Sequence, residues 1–71
     1  MASFADRLQG CRKAKGLTQK QAASLFDVSE RHWQGYEGGI KTPTFDGLIA
    51  LADYFDVSLD YLVGRSDDPG R

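Results

Sequence analysis

The chain has 71 residues, 41% hydrophobic and 27% charged, which allows one small domain whose marginal core is built most economically from helices with local contacts. No apolar run approaches the roughly 18 residues of a membrane span, no basic and apolar leader opens the chain, and the single cysteine, Cys11, excludes an internal disulfide or a cysteine-based zinc site and fits a reducing cytoplasm. The net charge is −1 but polarised: residues 1–41 hold seven Lys/Arg against four acids, +3, and residues 42–71 hold two against six, −4. A basic front and an acidic back suit oriented docking on phosphates, or they are two solvated surfaces with no further role.

Ser3 reads as a helix cap, with Asp6 in the first turn where a negative charge suits the helix dipole. Phe4, Leu8, Cys11 and the stem of Lys15 recur at helical spacing, so the first helix is expected over residues 3–15. Gly10 is a mild fault inside it, and Gly16 ends it in the left-handed position. Cys11 on that stripe reads as an inert core thiol. Thr18-x-x-Gln21 is a capping box that opens a second helix over residues 18–26. Ala22 and Ala23 give this helix a small-residue face. Asp27 falls where the chain should turn left-handed, which Asp tolerates better than most residues. Ser29 caps a third helix over residues 29–37.

In that third helix Trp33 and Tyr36 share one face, while Glu30, Arg31, Gln34 and Gly35 share the opposite one. Gly38-Gly39 closes it into the loop Lys41-Thr42-Pro43. Thr44 caps a fourth helix over 45–55, with Leu48, Leu51, Ala52 and Phe55 as its buried stripe and Phe45 at its start. Ser58 caps a short fifth helix over 59–63, ended by Gly64. Residues 65–71, with Asp67-Asp68-Pro69-Gly70, read as a flexible tail beyond a domain of residues 1–64. The expectation is an all-α fold.

Residues Gly16-Leu17-Thr18-Gln19, Ala23, Val28-Ser29, Glu37-x-Gly39, Pro43, Leu48, Leu51-Ala52, Val57-Ser58 and Tyr61-Leu62-x-Gly64 carry a resemblance. Their joint spacing is similar to the helix-turn-helix of the Cro/repressor family, also called the xenobiotic-response-element family. The resemblance implies a compact five-helix, lambda-repressor-like domain that binds double-stranded DNA and regulates transcription, by repression as a homodimer on a palindromic operator. The third helix would enter the major groove. Trp33 stands where that family usually has Ile, Ala22 where it has Leu, and Asp27 where it has Gly. Trp33 then either enlarges the core contact or surfaces as a partner anchor.

By the same resemblance, Thr18, Gln19 and the free N–H groups of the second helix face a phosphate, where the helix N-terminus carries positive partial charge; the other reading of Gln19 is a plain surface residue that serves only the helix start. Lys20 and Lys41 add phosphate contacts or are solvated. Ser29, Glu30, Arg31, His32, Gln34 and Gly35 face the duplex. Arg31 suits a bidentate contact to guanine, Gln34 one to adenine, and Glu30 one to cytosine N4 if it is aimed at a base. His32 touches backbone or base, or is a plain surface residue. Gly35 permits a close approach or simply gives up a contact. Arg12 and Glu37 match a partly buried ion pair that links the first helix to the end of the third; the other reading is two unrelated surface charges. Leu59, Tyr61, Leu62 and Val63 finish the core in part, and the remainder forms a two-fold interface or merely closes a monomer.

The residues offer no nucleophile–base pair, no metal cluster and no phosphate-cradling glycine loop, so neither an enzyme nor a cofactor is expected. The alternative is a protein-interaction module of the same fold, an antitoxin or antirepressor whose main partner is a protein.

Overall fold

Each helix among the described residues starts at a hydroxyl. In the computed structural model, which describes residues 2–70, Ser3, Thr18, Ser29, Thr44 and Ser58 all stand in extended backbone. Each accepts the N–H three residues on, from Asp6, Gln21, His32, Gly47 and Tyr61. A cap of this kind satisfies one of the donors that a helix start leaves open, and is worth about 1 kcal/mol. The five helices are α1 (Phe4–Ala14), α2 (Gln19–Leu25), α3 (Glu30–Glu37), α4 (Phe45–Phe55) and α5 (Leu59–Leu62). The Thr18–Gln21 capping box is complete, with the Gln21 side chain accepting from the Thr18 N–H at 2.9 Å.

Left-handed residues set the corners. Asp27, between α2 and α3, and Asp56, after α4, both have φ 56°. Gly16 has φ 69° after α1. Gly64 has a second reason to lack a side chain: a Cβ there would lie 2.1 Å from the Ala2 carbonyl oxygen. The start of the chain therefore presses against the end of α5, and only glycine leaves the space.

The core gathers Leu8 from α1, Ala22 and Ala23 from α2, Trp33 and Tyr36 from α3, Leu51, Ala52 and Phe55 from α4, then Val57 and Leu62. Trp33, Leu8 and Leu62 are completely enclosed. α3 packs on α2 and α1, while α5 bridges α1 and α4. Phe26 joins the aromatic cluster at the α2–α3 corner. Its ring stacks on Trp33 at 5.7 Å between centroids and meets Tyr54 edge-on at 5.4 Å. Cys11 is half-buried; burial pushes its thiol pKa up against the opposing charge of Arg7, which keeps it protonated and unreactive.

Three expectations change on contact with this packing. Phe45 does not join the buried stripe of α4: at the first helical position it overhangs the core and is 68% exposed. Lys15 lies outside the stripe of α1, its ammonium 5.1 Å from the centre of the Tyr54 ring. Residues 65–70 do not trail free. Arg7 reaches Asp67 at 2.7 Å, the Ser58 N–H donates to the Pro69 carbonyl at 3.2 Å, and the Arg65 and Ser66 N–H groups donate to the Asp60 carbonyl. The segment folds back over the start of α5; Arg71 and Met1 lie outside the described residues.

Candidate nucleic-acid interface

The eight residues of α3 divide by the helical period. Trp33 and Tyr36 point into the core, whereas Glu30, Arg31 and Gln34 are exposed. His32 is half-covered, its ring edge-on to Tyr36 at 4.9 Å. Ser29, Arg31, His32, Gln34, Gly35, Ile40 and Lys41 line one open hollow of about 500 Å³. Thr18 and Lys20 are exposed at the start of α2, and Gln19 is half-buried.

Besides the core contacts of Trp33 and Tyr36, a single carboxylate ties the end of α3 to α1 and α2. Glu37, the last residue of α3, receives four hydrogen bonds: from Arg12 Nε at 2.6 Å, Arg12 Nη2 at 3.1 Å, Gln19 Nε2 at 3.1 Å and Trp33 Nε1. Arg12 adds a bond from Nη1 to the Leu17 carbonyl at 2.8 Å. The Glu37 side chain is only 3% exposed and that of Arg12 10%. α1, α2 and α3 thus meet at one carboxylate, and no buried side-chain nitrogen or oxygen among the described residues lacks a partner. The expected pair of Arg12 and Glu37 is present. The bonds from Gln19 and Trp33 were not foreseen. Trp33 belongs to the core, and its indole N–H is the polar handle that a buried tryptophan must satisfy. The Gln19 bond orients its side chain and leaves one amide hydrogen and the carbonyl oxygen for other partners.

Burial alone would raise the Glu37 pKa. Hydrogen bonds from Arg12, Trp33 and Gln19, with the Arg12 charge, outweigh it and hold the carboxyl below its usual 4.5. The folded state therefore binds the proton less well than the unfolded chain. The contribution to stability is complete above about pH 4.5 and is lost as the pH falls through the lower, folded value. Urea titrations across this range should show a steeper acid loss for the wild type than for Glu37→Gln. Equal slopes would mean that the network does not discriminate the ionised form.

Ile40 was not picked out from the sequence. It is 83% exposed on the rim of the hollow, and the signal was there, a large apolar residue between two glycines and a Lys-Thr-Pro loop. Of the fifth-helix segment, Leu62 is fully enclosed and has no surface left to offer a second copy. One face of the Tyr61 ring lies under the Arg7 guanidinium at 3.8 Å, and Leu59, Tyr61 and Val63 are all half-exposed. No group of His, Cys, Asp and Glu among the described residues stands together as a metal site, and no described helix is long and apolar enough to cross a membrane.

The chain is 41% identical over 66 residues to YobD, an uncharacterized HTH-type transcriptional regulator of Bacillus subtilis, covering 93% of this chain and 59% of that protein. It is 38% identical to the cryptic phage CTXphi transcriptional repressor RstR of Vibrio cholerae, covering 84% of this chain and 54% of the repressor. A transcriptional regulator from Listeria innocua has the same fold, with a TM-score of 0.82 at 40% identity over 87% of this chain and 58% of that one. The chain spans little more than half the length of these relatives. A family model described as helix-turn-helix domain matches residues 3–62, and with α2 and α3 joined by a tight left-handed corner, this chain is a member of that family.

Proposed function

We propose that the domain binds double-stranded DNA sequence-specifically and regulates transcription, by repression. One observation carries the reading: the polar row Arg31 and Gln34 stands in the open while the opposite face of α3 is locked by the core and by Glu37. A rod fixed on one side and hydrogen-bonding on the other is what base readout in the major groove requires. The names of the relatives, regulators and repressors rather than enzymes, support it. In this reading Arg31 and Gln34 address bases, with Ser29, Glu30, His32 and Gly35 beside them. Thr18, Gln19, Lys20 and Lys41 approach phosphates. Two copies act together, their recognition helices about 34 Å apart on a palindrome, with Leu59, Tyr61 and Val63 as the surface between them.

Selecting bound duplexes from a random-sequence pool tests this. The expected outcome is a symmetric site whose affinity falls steeply between about 50 and 200 mM salt. Recovery of no duplex, together with a tight protein partner, would make the chain a protein-interaction module instead. On a recovered site, Arg31→Ala should flatten the preference for one base position, a loss of about 1–3 kcal/mol in discrimination. Gln19→Ala should weaken all sequences alike, partly because Glu37 loses a donor. Equal, uniform losses from both would refute this division between base and phosphate contacts.

A further inference from the structure

We propose that Gly35 is a positioning residue for DNA binding: its bare backbone is the seat on which the stem of Lys41 lies, and this seat delivers the Lys41 ammonium to a phosphate at the edge of the hollow. The inference rests on the DNA-binding reading above. Gly35 stands inside α3, where no left-handed turn calls for glycine and where glycine is less stable than alanine. Something else must use the missing side chain. A Cβ on residue 35 would lie 3.1 Å from both Cγ and Cδ of Lys41 and 3.5 Å from its Cβ. Carbon atoms pack at about 3.5–4.0 Å, so a methyl group there would push the stem aside by a few tenths of an ångström. The backbone repeats the pairing: the Gly35 carbonyl accepts from both the Ile40 and the Lys41 N–H groups at 3.0 Å. The backbone of Lys41 is thus tied to one residue of the recognition helix, and the first carbons of its side chain run close over that residue. A free lysine on a loop spreads its charge over many rotamers; this one is held beside Arg31 and Gln34, with which it lines the hollow. Preorganisation of this kind raises affinity by lowering the ordering cost of binding.

The test is a cycle of Gly35→Ala and Lys41→Met on a duplex selected by the wild-type chain. Met keeps an unbranched stem over the seat but removes the charge. Lys41→Met should lower affinity on the order of tenfold and reduce the salt slope by about one. Gly35→Ala should keep or raise the thermal midpoint, because alanine favours the helix, yet lose a large part of that affinity. Combined with Lys41→Met, Gly35→Ala should cost nothing more, since no ammonium remains to be placed. An equal loss from Gly35→Ala with and without the charge would mean that the methyl group meets DNA directly, and would overturn the proposal. So would full affinity in Gly35→Ala, or an unchanged salt slope in Lys41→Met. A wild-type chain that selects no duplex overturns the DNA-binding reading and this inference together, whereas the other failures leave that reading standing.

Discussion

Glu37→Ala is expected to destabilise the domain by about 3–5 kcal/mol, the range found when one partner of a buried ion pair is removed. The size follows from what is left behind. Arg12 keeps its charge in a site where its side chain is 10% exposed, with only the Leu17 carbonyl still accepting from it. The Trp33 indole N–H, fully buried, loses its acceptor, and so does the Gln19 amide. Small domains hold about 5–15 kcal/mol in all, and for a chain of this length each kcal/mol moves the thermal midpoint by about 4–8 °C. A fall of about 12 °C or more is therefore expected, read by far-UV circular dichroism. Replacing Arg12 and Glu37 together with apolar residues of similar volume should cost much less, because no charge is stranded. A loss below about 1 kcal/mol for Glu37→Ala, the scale of an exposed pair, would show that the carboxylate does not hold the three helices.

Trp33→Ala should cost about 3–5 kcal/mol, as other large aromatic truncations in cores do. Here the ring is enclosed on all sides, stacked on Phe26 and edge-on to Tyr36 at 5.9 Å. Trp33→Phe separates the two things the residue does. It keeps an aromatic body and removes the indole N–H from Glu37, so about 1.5–3 kcal/mol is expected for a hydrogen bond to a charged group. Urea titrations followed by circular dichroism would measure both, since Trp33 is the sole tryptophan and its fluorescence disappears with it. If Trp33→Phe were neutral, the bond to Glu37 would contribute nothing and the residue would be plain filling. If it matched Trp33→Ala, the polar contact would outweigh the packing.

The features readable from the chain were those set by near neighbours. A hydroxyl at each helix start, an aspartate at the α2–α3 corner and the two faces of α3 are local facts, and the structure places them where their chemistry asked. Arg12 with Glu37 came from resemblance, since nothing local links residues 25 apart in sequence. The parts that stayed hidden are all meetings of distant segments. Gln19 and Trp33 joining the same carboxylate depends on how three helices converge. Arg7 meeting Asp67 depends on contact across 60 positions, whereas the Asp-Pro-Gly composition of the last segment argued only for looseness. Phe45 shows the opposite limit: it keeps the period of the buried stripe, but periodicity does not reveal where a helix outruns the core. The same holds for Lys41 on Gly35, because a missing side chain announces no partner.

The convergence on Glu37 also bears on how such a domain can diverge. Arg12, Gln19 and Trp33 all donate to Glu37, so a change at Glu37 strands the other three and is best tolerated in combination with changes at its donors. Arg31 and Gln34 owe nothing to that set and can be exchanged singly at little cost to folding. If the domain reads DNA as proposed, new target sites are reached by small steps on the outer face of α3 while the Glu37 junction stays unchanged.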